Sequence, residues 1–122
     1  MAHFAEVDEN NIVLRVLVVA DEQEHRGQEY LAVDMGKGGT WIQTSYNTFR
    51  NEHKLGGTPL RGNYAGRGWH YDPIKDIFFQ PKPYPSWVFS DEVASFVAPV
   101  PMPTDNAGYI WNETLVNWEA VG

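Results

Sequence analysis

The sequence predicts a small mostly-β or α+β domain made of an N-terminal hairpin, one short helix and a row of small aromatic-rich β-hairpins joined by Pro-rich connectors. Two observations carry this. Gly68-Trp69-His70-Tyr71-Asp72 leads to Phe78, and Gly108-Tyr109-Ile110-Trp111-Asn112 leads to Trp118 at the same offsets, with Trp87-Val88-Phe89-Ser90-Asp91 leading to Phe96 as a looser copy between them. Pro81-Lys82-Pro83-Tyr84-Pro85 and Pro99-Val100-Pro101-Met102-Pro103 separate the copies. Alternate residues of a strand share a face, so an Asp/Asn-led turn brings the closing aromatic back onto the first ones. The proline runs predict stiff, extended connectors that keep the hairpins from merging into one sheet.

From the N-terminus, His3 to Val7, the turn Asp8-Glu9-Asn10-Asn11 and the run Ile12 to Val19 read as strand, turn, strand. The second run is nearly all apolar and rich in β-branched residues, which predicts the central strand of the sheet, buried on both faces. Asp21-Glu22-Gln23-Glu24 supplies a cap and acidic residues for a helix within residues 22 to 35, interrupted or short because of Gly27, with Tyr30, Leu31 and Met35 as its apolar face and Gly36 as its end. Trp41 to Tyr46 reads as a strand after the glycine-rich turn Gly36-Lys37-Gly38-Gly39. Residues 47 to 68 read as a long polar loop facing outward. The predicted core is Ile12, Leu14, Val16, Val18, Ile42 and the hairpin aromatics.

Length and charge bound the function. The 122 residues predict a single domain over 1–122. Sixteen acidic against nine basic residues, a net charge of -7, disfavours nucleic acid and anionic lipid. The absence of cysteine removes disulfides, thiolate metal sites and cysteine nucleophiles. Met1 to Asp8 has neither the basic start nor the apolar run of a secretory signal, and no apolar stretch reaches the roughly 20 residues a bilayer requires. The expectation is a soluble chain made in a cytoplasm, with no membrane partner.

Catalytic motifs are weak. Gly36-Lys37-Gly38-Gly39-Thr40 has the lysine before the second glycine and a strand after it, so it reads as a helix-ending turn and not a phosphate loop. The histidines His3, His25, His53 and His70 have no metal-ligand spacing, and Asp72 before Pro73 reads as a turn residue. No GxSxG elbow or paired acid and base stands out. The sequence therefore predicts no enzyme, no metal and no cofactor. The remaining candidate binding surface is Trp69, Tyr71, Trp87, Trp111 and Trp118. Most of these are expected to fill the core, with one or two exposed as a stacking platform.

Several segments together resemble a family of small proteins encoded by tailed phages of marine cyanobacteria and related ocean bacteria. They are Met1 to Ala5, Trp41 to Asn47, Asn63-Tyr64-Ala65-Gly66, Tyr71-Asp72, Pro81 to Trp87 and Ala98 to Asp105. Some members carry Gly-Tyr-Thr-Tyr-Asp where this chain has Gly68 to Asp72, which argues against a fixed ligand at residue 70. Tyr109 to Trp118 is locally similar to the aromatic hairpins of phage tail-fibre and fibre-assembly proteins. The resemblance implies a non-enzymatic phage structural or tail-fibre-associated protein, virion-associated, that works through protein contacts or self-association. A glycan-binding module using exposed Trp/Tyr, and a small infection-stage protein binding a host target, stay open beside it.

Overall fold

The computed structural model describes residues 1–121. Strands β1 (Ala2–Val7), β2 (Val13–Val19) and β3 (Thr40–Thr44) form an antiparallel sheet in the order β2-β1-β3. The predicted strand and helix types are present, but the strand order corrects the reading of β2. β1 is the central strand and β2 lies on an edge. The Asp8 turn folds β2 beside β1, and the long-range placement of β3 on the other side, pairing Phe4 with Gln43 and Ala5 with Ile42, makes β1 central.

Because β1 is central, its alternate side chains enter two separate cores. Ala2 and Phe4 pack with Val19, Leu31 and Trp41 beneath the helical segment. Ala5 and Val7 pack with Val13, Ala65 and Phe78 on the opposite face. Val16 and Ile42 border the second core as expected. Leu14 and Val18 do not join either core and are exposed. Leu14 is the extra residue of a bulge, since Val7 faces Val13 while Glu6 faces Arg15, and Val18, opposite His3, lies beyond the second core toward the end of the edge strand.

The helical segment is as irregular as Gly27 predicted: a 3-10 turn over Asp21–Arg26, an α turn over Gly27–Glu29 and a π turn over Tyr30–Asp34. Gly27 lies against the Phe4 ring, where a Cβ would come within 2.1 Å of it. Leu31 is the buried anchor, whereas Met35 is exposed and does not belong to the apolar face. Gly36, at φ +67°, ends the segment, and the Lys37 and Gly38 amides donate to Leu31 and Ala32 carbonyls.

The C-terminal half is the expected row. β6 (His70–Asp72) pairs with β7 (Ile77–Phe79), β8 (Val88–Ser90) with β9 (Ser95–Val97), and β10 (Tyr109–Asn112) with β11 (Asn117–Ala120). The central cross-strand pairs are Tyr71 with Phe78, Phe89 with Phe96, and Trp111 with Trp118. The residue before each return strand adopts positive φ: Asp76 at 55°, Ala94 at 49° and Val116 at 50°. The three copies thus share one turn conformation as well as one aromatic spacing, although only Asp76 is of a type that favours it.

Residues 47 to 68 differ from the outward polar loop expected. They contain a further hairpin, β4 (Thr48–Phe49) with β5 (Glu52–His53), and bury Thr48, Asn63 and Ala65. The loop bonds inward because its backbone polar groups find partners there: Ala65 N–H donates to Thr44 Oγ1, Leu60 N–H to Thr48 Oγ1 and Tyr64 N–H to the Thr48 carbonyl.

Candidate functional site

A two-stranded hairpin is marginal in water by itself, so each copy in the row must lean on a neighbour. Asn63 provides the first junction. Its side-chain amide donates to the Phe78 and Ala94 carbonyls, both at 2.8 Å, while its Oδ1 accepts from the Arg50 amide at 2.8 Å. One buried side chain therefore ties β7, the turn of the second hairpin and the turn after β4 together. Phe79 continues the junction, with its ring 5.2 Å from Phe89 and 6.0 Å from Phe96. On the surface Lys75 reaches Asp91 at 2.6 Å and lies over the Phe89 ring.

The second and third hairpins meet through an indole cluster. The Trp87 ring lies 5.8 Å from Trp111 and 6.3 Å from Trp118, and Trp111 lies 5.2 Å from Trp118, all edge to face. Glu113, in the third turn, accepts from Trp111 Nε1 at 2.9 Å and from the Ser86 hydroxyl and amide at 2.7 and 3.1 Å. The Trp111 and Ser86 bonds hold the Glu113 carboxyl below its usual range against the opposing effect of burial. Trp118 Nε1 donates to the Val100 carbonyl at 2.7 Å, which pins the second proline connector. The Trp87 indole N–H is buried with no acceptor among the described residues.

The five candidate aromatics do not form one surface. Trp69 and Tyr71 border the core around Phe78, while Trp87, Trp111 and Trp118 form the separate indole cluster. All five are half-buried or buried, so the expectation that one or two stand exposed is corrected. Trp69 and Tyr71 are covered by the core on β1 and β2, and the three clustered indoles by one another across two hairpins. The Tyr71 hydroxyl donates to Asp76, and Arg61 Nε reaches the same carboxylate at 2.9 Å. Burial pushes the Tyr71 hydroxyl up, and its bond to Asp76 adds to this. For Asp76 burial acts upward too, but the Tyr71 and Arg61 bonds outweigh it and hold the carboxyl down. Asp72 performs the turn role predicted for it, accepting from the Ile74 and Lys75 amides.

A cleft of about 240 Å³ runs between Phe49, Arg50, Pro81, Pro83, Trp87 and Phe96. An adjoining one of about 340 Å³ continues past Val100, Met102 and Trp118. The proline connectors form their walls, which gives those segments a packing role beyond spacing. Among the described residues no three His, Asp or Glu side chains are grouped to hold a metal ion, and no helix is long and apolar enough to cross a membrane.

Two features escaped sequence reading. Asn63 looks like any loop asparagine, and its only signal was its place in the unusual Asn63-Tyr64-Ala65-Gly66 run. The second feature is an exposed aromatic group on the sheet, where His3 and Tyr64 lie 5.3 and 6.5 Å from Tyr46 and Lys54 Nζ stands 4.5 Å above the Tyr46 ring. No protein-family model matches the chain, and no curated protein or solved structure matches it.

Proposed function

We propose that this chain is a non-enzymatic structural protein of a phage particle, associated with its tail fibres and acting through protein–protein contacts. The observation that carries the reading is where the apolar surface lies. All five indoles pack against other parts of the chain, and most of the large apolar side chains left outside are aliphatic, with Tyr46, Phe49 and Tyr84 the exposed rings among the described residues. Ile74 and Leu115, at the turns of the first and third hairpins, are 94% and 63% exposed, and Val88 on β8 and Ile110 on β10 are 55% and 56% exposed. Aliphatic residues repeated along a stiff row suit burial against another protein surface. The phage assignment rests on the sequence resemblance.

Mass spectrometry of purified particles from a phage encoding this chain tests the reading. Peptides in fixed proportion to fibre or baseplate proteins support it. Their absence from particles, with the chain abundant in infected cells, overturns it and favours a host target. A glycan-binding reading draws support from Tyr46, which is 54% exposed beside Tyr64 and His3, in place of the indoles. Host-envelope polysaccharide would then perturb tyrosine signals in the native chain, and silence across a broad glycan panel would sink it.

A further inference from the structure

β2 is the longest strand of the sheet and lies on its outside. The start of that outer edge is covered, since the Val13 amide donates to the Trp69 carbonyl and the Gly68 amide to the Val13 carbonyl. From Arg15 to Val19 the outer edge makes no backbone hydrogen bond to another segment among the described residues. Free edges of this kind template pairing, and folded monomers blunt them with lysine, proline or a bulge. Here the bulge at Leu14 precedes the open stretch. The one charged side chain, Arg15, is bound at 2.8 Å to Glu6 and stands 5.2 Å from the Trp41 ring centre. Val18, inside the stretch, is 51% exposed.

We propose that β2 pairs antiparallel with β2 of a second copy about a two-fold axis at Leu17, joining two three-stranded sheets into one continuous sheet. The sequence of the edge identifies the occupant. Val16-Leu17-Val18 reads the same in both directions. Antiparallel self-pairing therefore sets Val16 against Val18 of the second copy, Val18 against Val16, and Leu17 against Leu17. Each Arg15 lies opposite Val19, so the two guanidinium groups do not meet. Every central cross-strand pair is β-branched or aliphatic, the type that stabilises a ladder, and both copies bury the same patch, as a two-fold interface requires. The inference rests on the protein-contact reading and names its partner as the chain itself.

Sedimentation equilibrium of the full chain at high micromolar concentration tests the proposal. The expected result is a species of twice the 13.9 kDa chain mass. Val18→Lys should weaken association roughly tenfold or more, as a charge on an edge strand does. Leu55→Lys, a change at an exposed side chain after β5, should leave it intact. Because the chain has no cysteine, Leu17→Cys provides a second test that tolerates an imperfect lysine variant. Mild oxidation should cross-link Leu17→Cys to itself and leave Leu55→Cys single. A monomeric parent chain overturns the proposal, as does a dimer that survives Val18→Lys or fails to cross-link through position 17. A monomer that is nonetheless present in particles would remove the edge pairing while leaving the structural-protein reading in place.

Discussion

Replacing Asn63 with alanine should be among the most damaging single changes to this fold. The substitution removes the acceptor of the Arg50 amide and the donors to the Phe78 and Ala94 carbonyls, at a side chain only 1% exposed. Each buried group left without a partner costs on the order of 1–3 kcal/mol. Allowing for partial relaxation, three such groups lose about 3–4 kcal/mol, a large share of the roughly 5–15 kcal/mol that holds a domain folded. For a chain of this size that corresponds to a fall in Tm of about 10–20 °C. Urea unfolding followed by tryptophan emission and far-UV circular dichroism measures the loss directly. Asn63→Asp should be at least as harmful, because it keeps an acceptor but turns a carboxylate toward two carbonyls. Asn51→Ala, which removes one exposed bond at 3.3 Å to the Glu92 carbonyl and puts alanine at φ 63°, should cost no more than about 1 kcal/mol. A loss at Asn63→Ala of no more than about 1 kcal/mol would refute the role given to this side chain as the junction of β7 with two turns.

Other changes probe different parts of the argument. Gly27→Ala forces a methyl into the Phe4 ring although the backbone at φ -56° accepts alanine, so a loss of about 1–3 kcal/mol by urea titration is expected from overpacking alone. Val116→Gly should raise the unfolding free energy from urea titration by about 0.5–1 kcal/mol, since an exposed β-branched residue at φ 50° gives way to one that tolerates it; a lower value contradicts the strain. The depressed Glu113 carboxyl contributes stability that is present above its unfolded-state pKa and lost as pH falls through its lower folded-state value. Glu113→Gln should therefore be less stable than the parent near about pH 7, with the gap narrowing near about pH 3, and a constant gap would show that the charge is irrelevant.

The hairpin row was legible because its signals are local. The aromatic spacing, the Asp/Asn before each turn and the prolines between copies all act within one hairpin, and they predicted the pairs Tyr71–Phe78 and Trp111–Trp118 directly. The irregular helical segment and its end at Gly36 were legible for the same reason. What the residues could not reveal was which strand neighbours which. An apolar run such as Val13 to Val19 suits an interior strand or an edge strand that a partner covers, and only the long-range placement of β3 beside β1 decides between them. Leu14 was misplaced because a bulge shifts the alternation by one residue. Asn63 was missed because its partners lie 13 to 31 residues away, and no local pattern announces a side chain that closes contacts at such distances.

Collisional quenching of tryptophan emission by acrylamide in the native chain tests most directly the claim that this protein spends its indoles inside and meets its partners with its aliphatic surface. Trp41 is 3% and Trp111 9% exposed, Trp69 packs against the core around Phe78, and Trp87 and Trp118 are half-buried in the indole cluster. The account predicts blue-shifted emission and weak quenching, both giving way in a single cooperative step on unfolding. Quenching as strong in the native chain as in the denatured one would contradict it, and would return the tryptophans to the surface as a stacking platform.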